Sequence, residues 1–486
     1  MNTQRPNIIL IMCDDLGYGD VGFNGNQVIH TPYLDAMRAE GARFTRFFAG
    51  GPVCSPTRGT CLTGRHYTRY GIDHANKGRL PTQEITLAKV CKEYGYCTGH
   101  FGKWHLGTMT TDVRDSNRGG PERPGEYSPP WLHGFDVCFS TEAKVPTWDP
   151  MVTPDERGPN GYRWGEPGTP YGTAYWNEQG EQIMDNLAGD NSRVIVDRVE
   201  PFIRECVSSG DPFLSVVWFH TPHTPVVAGP EYCERYADFS EEEQHYYGCI
   251  TAMDEQVGRI NQLLKELNVE DNTMIWFCSD NGPEGSDDLA TNGRNQGVTG
   301  GLRGRKRSLF NGGIGVPALI KWPQMVTAGS EYTMPCSTLD YFPTVIDCLG
   351  YAMLDERPID GMSLLPLFRG DTDARVKPIP YRFLERKEAM FGAPTLALMN
   401  DTYKFLTNLS EDGEEDLLFD MNADRAEETN IIHQYPKRVQ QMRDHLSDFI
   451  SSCRKSHCGE DYAEPYEPVN EFQELTGGWA VGQETE

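Results

Sequence analysis

Five short apolar runs recur along this chain, and the segments between them have the periodicity of amphipathic helices. The runs lie at 7–13, 98–103, 213–219, 274–278 and 317–322, and the helical patterns lie at 33–41, 85–94, 193–206 and 244–267. Runs that are apolar at successive positions are typical of parallel strands buried on both faces. Their alternation with helices predicts an α/β fold with a large doubly wound mixed sheet flanked by helices.

The pattern changes twice, and a chain of 486 residues is long enough for two domains. Residues 1–375 carry the sheet pattern, interrupted at about 108–190 by an insert rich in Gly, Pro, Trp and Tyr. Residues 376–486 predict a smaller C-terminal α+β domain, with a hairpin at 403–421 and a helix at 439–450. From residue 459 onwards there are eight acidic residues and no Lys or Arg, which predicts an acidic tail that wraps or stays loose.

The net charge of −27 disfavours nucleic acid and anionic membranes as partners. An anionic substrate would therefore need a pocket with a local excess of cations. The sequence has no apolar run of eighteen residues, which predicts no membrane span, and its first residues lack the pattern of a signal peptide. Its 14 cysteines form no CxxC pair, so we expect mostly buried thiols.

Four of the strand-like runs are followed by polar side chains suited to catalysis or metal binding. These are Asp14 and Asp15, Lys103 and His105, His220 and His223, and Asp280 and Asn281. Ligands of open α/β sheets bind outside the carboxyl ends of the strands, so four such endings together predict the rim of an active site. A helix cap at Asp14-Asp15 and a plain turn at Asp280-Asn281 would each explain one pair alone.

The two acidic pairs offer oxygen ligands only, which favours Ca²⁺ or Mg²⁺ over zinc. Lys103 and His105 lie two residues apart, on one side of an extended segment, so a cation and a proton acceptor could face one pocket. The segment 303–307 places four cations in five positions and supplies the local positive charge that an anion needs, although a solvated face is the alternative. A structural role explains His220 as well as a functional one does.

Cys54 precedes a predicted helix start at Ser55-Pro56, with Arg58 one turn later. The helix dipole at this position favours anions, so a bare thiol would have a lowered pKa and could act as a nucleophile. A thiolate is nevertheless a poor match for a hard cation, which prefers oxygen. The surroundings therefore favour an oxygen nucleophile at position 54.

The stretch Cys54-Ser-Pro-Thr-Arg58, followed by Thr63-Gly64-Arg65, resembles the signature of the type I sulfatases of the alkaline-phosphatase superfamily. Further similar blocks follow in family order over about residues 5–435, among them MCDDLGYGDVG, GKWHLG, HTPHTP, FCSDNG and DGMSLLP. In that family a formylglycine-generating enzyme oxidises the cysteine to formylglycine (3-oxoalanine), whose hydrated aldehyde is the nucleophile. The resemblance implies this modification at Cys54, and sulfuric ester hydrolysis as the activity.

The resemblance also implies a role for each site residue. Calcium ligands of the family are matched by Asp14, Asp15, Asp280 and Asn281, and the modified Cys54 would also bind the ion. Arg58 matches the residue that holds the diol, and Lys103 and Lys306 match sulfate-binding lysines. His105 matches the group that helps expel sulfate, and His223 matches the acid that protonates the leaving alcohol. Beside them, His220 and Arg305 are predicted to bind substrate.

The sequence departs from the family where Asn311-Gly-Gly-Ile-Gly-Val-Pro317 replaces the common Glu-Gly-Gly-x-Arg-x-Pro. Losing that Glu and Arg is expected to alter the pocket wall. The insert carries Trp131, Trp148, Trp164 and Trp176, whose rings can stack on sugars or fill a core, and together with the resemblance they favour a sulfated carbohydrate as substrate.

Other functions stay open at this point. They are a phosphate or phosphonate monoester hydrolase of the same superfamily, an arylsulfatase of broad specificity, a cysteine hydrolase with an unmodified thiolate, and a non-catalytic sulfoglycan-binding protein. A periplasmic or secreted location is expected if a leader has been removed, and a cytoplasmic one for the chain as written.

Overall fold

The computed structural model describes residues 5–115, 118–156, 163–285, 293–384, 393–409, 413, 415–468 and 470–473. Its strands are β1 (Asn7–Cys13), β2 (Ala42–Phe44), β3 (Phe47–Phe48), β4 (Cys97–Lys103), β5 (Arg114–Asp115), β6 (Arg118–Gly119), β7 (Val137–Thr141), β8 (Tyr175–Trp176), β9 (Gln182–Ile183), β10 (Phe213–Trp218), β11 (Thr273–Ser279), β12 (Leu319–Lys321), β13 (Ser330–Tyr332), β14 (Cys336–Ser337), β15 (Ile379–Arg382), β16 (Leu396–Met399), β17 (Tyr403–Thr407) and β18 (Leu417–Asp420).

The helices of the described residues lie mainly between these strands. They are α1 (Pro32–Glu40), α2 (Cys54–Thr63), α3 (Leu87–Glu93), α4 (Asn191–Ser209), α5 (Pro230–Cys233), α6 (Glu241–Glu266), α7 (Asn311–Ile314), α8 (Tyr341–Leu349), α9 (Leu365–Arg369) and α10 (Pro436–His457). None of the helices described here is both long enough and apolar enough to cross a bilayer.

Ten strands form one mixed sheet in the order β13-β2-β12-β11-β1-β10-β4-β7-β8-β9. The fully buried β1 pairs in parallel with β10 on one side and with β11 on the other. Because side chains alternate along a strand, Ile8, Leu10 and Met12 pack into the core on one face of the sheet, and Ile9 and Ile11 pack into the core on the other. Helices cover both faces, which confirms the predicted α/β architecture.

Two sequence predictions about this sheet need correction. The run at 317–322 was expected to be a parallel strand, but β12 runs antiparallel to both β11 and β2. The described residues between β11 and β12 form no long crossover helix, so the chain leaves β11 at the carboxyl edge, re-enters from that same edge and runs back. The insert at 108–190 is also more regular than its composition suggests, because β7, β8 and β9 extend the sheet; residues 116–117 and 157–162 of the insert lie outside the described residues.

The C-terminal α+β domain is confirmed as a separate antiparallel sheet, β15-β16-β17-β18, on which α10 packs. The sheet begins at Ile379, close to the boundary predicted at 375. The described part of the acidic tail wraps back onto the large domain: Asp461 forms an ion pair with Arg65 at 2.5 Å, and the Tyr462 hydroxyl donates to Glu84 at 2.5 Å. Residues 474–486 lie outside the described residues.

Candidate active site

The carboxyl ends of β1 and β11 bring the two acidic pairs together. Their in-register pairing ends with the Asp280 amide, which donates to the Cys13 carbonyl at 3.0 Å. The Asp15 amide donates to Asp280 Oδ1 at 3.2 Å, and Asn281 Nδ2 donates to Asp15 Oδ1 at 2.7 Å. These side chains are buried, so the predicted oxygen ligands form one cluster beneath the surface.

The helix α2 brings Cys54 to this cluster. Val53 is extended, Cys54 is the first helical residue, and Gly64 ends the helix at φ 66°, with its amide donating to the Thr60 carbonyl. Cys54 Sγ lies 3.3 Å from Asp14 Oδ1. The side-chain donor atoms that could bind a metal in Asp14, Asp15, Cys54 and His223 all lie within 4.8 Å of one another.

Ser55 does not cap the helix, contrary to the sequence prediction. Because α2 begins one residue earlier, the Ser55 hydroxyl points away from the helix end and contacts two carbonyl oxygens, that of His105 at 2.6 Å and that of Ala75 at 2.7 Å. Arg118 donates to the same His105 carbonyl at 2.9 Å. The first turn of α2 therefore also fixes the segment that carries His105.

Arg58 is fully buried beside the acidic cluster. Its guanidinium donates to Asp280 Oδ2 at 2.7 Å and to the Lys103 carbonyl at 2.9 Å, and it lies 5.1 Å from the centroid of the Trp218 ring. Burial, and then the charge of Asp14, raises the pKa of Asp280 to about 7 even though Arg58 opposes the shift. Asp280 is therefore a buried carboxyl whose ionised form is disfavoured chiefly by loss of solvent, and a bound cation would stabilise that form.

Two buried lysines neutralise the other carboxylates. Lys103 Nζ lies 2.7 Å from Asp14 Oδ2, and Lys306 Nζ lies 2.7 Å from Asp15 Oδ1. Burial by itself would raise the pKa of Asp14, but the surrounding cations, Lys103 first among them, hold that pKa well below its ordinary value. Both lysines come from the carboxyl side of the sheet, so they can also contact an anion bound next to the carboxylates.

His105 follows β4 directly and has a left-handed backbone, with φ 56°. Such sparsely populated conformations persist where the surrounding structure enforces them, often at active sites. Both of its ring nitrogens are buried and lack a hydrogen-bond partner among the residues that the structure describes. Burial, and then the nearby charge of Lys103, lowers the pKa of His105 well below its ordinary value, so the ring is held neutral.

His223 lies on the other side of the cluster, after β10. Its Nδ1 lies 2.7 Å from the Thr224 carbonyl, which fixes a proton on Nδ1, and its Nε2 lies 3.6 Å from Asp15 Oδ2. The side chain is 11% exposed, whereas that of Asp15 is 4% exposed. His223 is thus more exposed than the other two histidines of the site, His105 and His220.

The two residues predicted to bind substrate have protein partners instead. His220 is buried, with Nε2 2.9 Å from Thr141 Oγ1 and Nδ1 3.0 Å from Asn191 Oδ1. Arg305 donates to the carbonyls of Glu284 and Gly297 at 3.0 and 2.8 Å. These contacts favour a structural role for both side chains.

Sequence reasoning missed two features of the site. Lys144 follows β7 and lies 4.1 Å from the centroid of the Trp164 ring; it went unnoticed because the run VCFST was not recognised as a strand with a polar ending. Glu427, from the C-terminal region, accepts from the Asn311 amide at 2.5 Å and pairs with Lys404 at 2.7 Å. A carboxylate therefore reaches the segment where the family's Glu is missing, and no local pattern indicates this.

These groups form a buried site at the carboxyl edge of a doubly wound sheet, with oxygen ligands, fixed cations and two histidines. Such an arrangement is typical of a hydrolase that acts on an anionic ester. A family model described as sulfatase matches residues 6–351, and one described as N-sulphoglucosamine sulphohydrolase, C-terminal, matches residues 304–456.

Named relatives agree with these matches. The chain is 32% identical to steryl-sulfatase of Rattus norvegicus over 420 residues, covering 75% of this chain and 70% of that protein. It is 31% identical to N-acetylgalactosamine-6-sulfatase of Canis lupus familiaris over 385 residues, covering 76% and 66%. The crystal structure of Ps i-CgsB superposes with a TM-score of 0.76 at 26% identity, covering 93% of this chain and 94% of that one.

The chain therefore belongs to the sulfatase family, the formylglycine-dependent sulfuric ester hydrolases of the alkaline-phosphatase superfamily. This confirms the family and the enzyme class that the stretch around Cys54 implied. The chain spans about two thirds of the length of the curated relatives named above.

Proposed function

We propose that this protein removes sulfate from a sulfated carbohydrate, with a formylglycine made from Cys54 and one bound Ca²⁺. The observation that carries the proposal is the position of Cys54 Sγ, 3.3 Å from Asp14 in a cluster of oxygen ligands and buried lysines. Burial, and then the charge of Asp14, raises the pKa of the Cys54 thiol, so an unmodified side chain stays protonated. This disfavours a thiolate nucleophile, and it is the opposite of the lowered thiol pKa expected from the helix start alone.

The side chains fit a calcium ion. Asn281 Oδ1 is buried and has no hydrogen-bond partner within the described ranges, and an unsatisfied acceptor of this kind suits a cation. Asp14, Asp15, Asp280 and Asn281 would hold Ca²⁺ together with residue 54. A bound Ca²⁺ supplies positive charge that offsets the charge of a sulfate group.

A hydrated formylglycine would supply hydroxyl oxygens at position 54. The surrounding side chains would orient these oxygens, bind the sulfate group and transfer protons. Arg58, held by Asp280 at 2.7 Å, fixes residue 54. Lys103 and Lys306 bind sulfate oxygens, which places fixed positive charge where negative charge develops. His105 accepts a proton at an unoccupied ring nitrogen. Burial lowers the pKa of His223 to about 4, and its Nδ1 proton is held by the Thr224 carbonyl, so His223 would first have to gain a second proton on Nε2, which it would then deliver to the leaving oxygen.

A carbohydrate substrate is supported by two relatives. One is named N-acetylgalactosamine-6-sulfatase, and Ps i-CgsB was also solved in complex with k-i-k-neocarrahexaose. The insert supports it less than expected, because Trp176 is 7% exposed within the sheet and Trp148 packs against Gly229. Trp164 is the tryptophan of this insert that lies beside a charged group of the site.

The test of the activity is a panel of sulfated mono- and oligosaccharides assayed for sulfate release, beside an aryl sulfate and phosphate and phosphonate monoesters. We expect release from at least one saccharide and little from the phosphorus esters. Preference for the aryl sulfate would favour the second candidate, a broad arylsulfatase, which the steryl-sulfatase relative supports. Substantial phosphatase activity without sulfatase activity would contradict the proposal.

The test of the modification is mass spectrometry of the tryptic peptide that spans residues 47–58. Conversion of cysteine to formylglycine lowers its mass by about 18 Da, the difference between CH₂SH and CHO. An active protein with an unmodified Cys54 would overturn this part of the proposal. Maturation by a formylglycine-generating enzyme and a periplasmic or secreted location stay predictions.

A further inference from the structure

Lys144 lies between the segments that carry the two catalytic histidines. The strand β7 ends in register with β4, with Thr141 opposite Lys103. The His105 amide donates to the Glu142 carbonyl at 2.8 Å, and the Thr147 amide donates to the Pro225 carbonyl at 3.1 Å. The stretch 142–147 is therefore fixed on one side to the His105 segment and on the other to the segment that follows His223.

The charge of Lys144 is less well compensated than that of the other lysines in the site. Lys103 and Lys306 each have a carboxylate at 2.7 Å, whereas Lys144 forms no ion pair with any residue that the structure describes. Its ammonium instead lies over the Trp164 ring, 4.1 Å from the centroid. Burial, and then the charges of Lys306 and Lys103, lowers the pKa of Lys144 to about 8.

Lys144 is more exposed than the two lysines that are paired with the carboxylates. Lys103 and Lys306 are buried against the carboxylates, with side chains 1% and 5% exposed, and Lys144 is only partly buried. Lys144 is thus a half-buried cation that lies near the like charges of Lys306 and Lys103 and over an aromatic ring. A cation in these surroundings is suited to bind an anionic group of the substrate. The ring of Trp164 restricts where the ammonium can lie, so the anion has to be at a fixed place on the substrate.

We propose that Lys144, positioned by Trp164, is a specificity-determining cation that binds a second anionic group of the substrate. The group is a sulfate or carboxylate on the sugar that bears the reacting sulfate, or on the adjoining sugar. This inference rests on the proposed function, and it narrows the substrate to a saccharide with at least two anionic groups.

The test compares Lys144→Met with wild type on three otherwise matched disaccharides: one monosulfated, one disulfated, and one monosulfated with a uronate. A hydrogen bond to a charged group corresponds to a loss of about tenfold to hundredfold. We expect that loss in kcat/KM for one or both doubly anionic saccharides, and a change of less than about threefold for the monosulfated one. Whichever of the two is affected identifies the second group as sulfate or carboxylate.

A structural defect would lower all three values equally, and that outcome would overturn the inference, as would no change at all. Lys144→Arg should retain the preference, and Lys437→Met, at an exposed position of α10, is the matched control. Dissociation constants measured by calorimetry in the Cys54→Ala background provide the same comparison without turnover. If the doubly anionic saccharides bind in a Lys144-dependent way but the wild type releases no sulfate from them, only the proposed function is contradicted. If these saccharides do not bind, the inference is contradicted.

Discussion

The polar residues of this site differ in whether the protein itself supplies an ion-pair or hydrogen-bond partner for them. Lys103 and Lys306 have carboxylate partners at 2.7 Å, whereas both ring nitrogens of His105 and Oδ1 of Asn281 are buried without described partners. Buried polar atoms without partners are rare in folded proteins, because each costs about 1–3 kcal/mol. Because these atoms lie among the predicted ligands, they fit the proposal that a metal and a substrate complete the site.

At this scale the first prediction concerns proton donation. In His223→Gln, the amide can still form a hydrogen bond but cannot transfer a proton, so kcat on a sugar sulfate should fall by roughly 10²–10⁴. The loss should be much smaller for 4-nitrophenyl sulfate, whose leaving group needs no proton. Steady-state kinetics on both substrates check this, with His433→Gln at an exposed position as the control. Equal losses on both substrates would refute the assignment.

The second prediction concerns the metal. Calcium that binds only the folded protein should raise its melting temperature, by the equivalent of about 2.7 kcal/mol at a hundredfold excess over Kd. Asn281→Leu removes the unpartnered Oδ1 at similar volume and should abolish most of this shift. Thermal melts across a calcium titration, with magnesium in parallel, measure it. A full calcium shift in Asn281→Leu would show that the ion binds elsewhere.

The helices and strands of this protein position the site residues mainly at their ends. The helix α2 delivers Cys54 to the acidic cluster with its first residue, and with its second it contacts the carbonyl of His105, which follows β4. The left-handed Gly64 then stops the helix. One helix of ten residues thus links Cys54, the proposed nucleophile position, to the segment of His105, the proposed proton acceptor.

Ser55→Ala tests that coupling between α2 and the His105 segment. Removing a buried hydroxyl that contacts the His105 and Ala75 carbonyls should lower the free energy of unfolding by about 1–2 kcal/mol. It should also reduce kcat, because Arg118 then holds the His105 carbonyl without the hydroxyl. Urea unfolding and kinetics give the two values, and Ser208→Ala on the exposed face of α4 is the control. Unchanged activity in a destabilised variant would leave Ser55 with a stabilising role only.

The sequence predicted some elements well and others poorly, for physical reasons. The run 7–13 matches β1 residue for residue, because a strand covered on both faces must be apolar throughout. The strand β7, the edge strand β13 and its neighbour β2 escaped notice, because three to five residues of mixed polarity carry no clear periodicity. The cluster of Asp15, Asp280 and Asn281 was predictable because these residues follow apolar strands, whereas Lys144 follows a strand that was not recognised. The partners of His220 and Arg305 depend on tertiary contacts that no local pattern encodes.

At the scale of the whole molecule, the C-terminal region is fastened to the large domain by buried charges. Arg69 forms a two-pronged pair with Asp360, at 2.7 and 2.8 Å, and also donates to Ser452 and Ser456 of α10 at 2.9 and 3.0 Å. The tail adds the ion pair between Arg65 and Asp461. Contacts of this kind join α10 and the tail to the residues that follow α2.

This fastening predicts an acid-sensitive contribution to stability. Burial alone would raise the pKa of Asp360, but the charge of Arg69 lowers that pKa from 3.8 to about 2. A lowered carboxyl pKa stabilises the folded state above the unfolded value, by about 2 kcal/mol, and the contribution disappears as the pH falls from about 4 to about 2. Urea unfolding across that range should show the loss in wild type but not in Asp360→Asn. An exposed control, Asp371→Asn, should behave like wild type, and parallel pH profiles for all three would contradict the assignment.

The buried carboxylate of Glu427 limits which substitutions residue 311 can accept. Glu427 and Lys404 are both fully buried, and Lys404 also donates to Asn311 Oδ1 at 2.8 Å, so residue 311 is tied to the C-terminal region. Asn311→Glu, which restores the residue common in the family, would place a second carboxylate beside Glu427 and should cost several kcal/mol of stability. Adding Glu427→Gln should recover most of that loss in a double-mutant cycle, and purely additive effects would contradict the coupling. Positions 311 and 427 therefore form an epistatic pair, and a chimera that takes either region from a relative has to take the partner position with it.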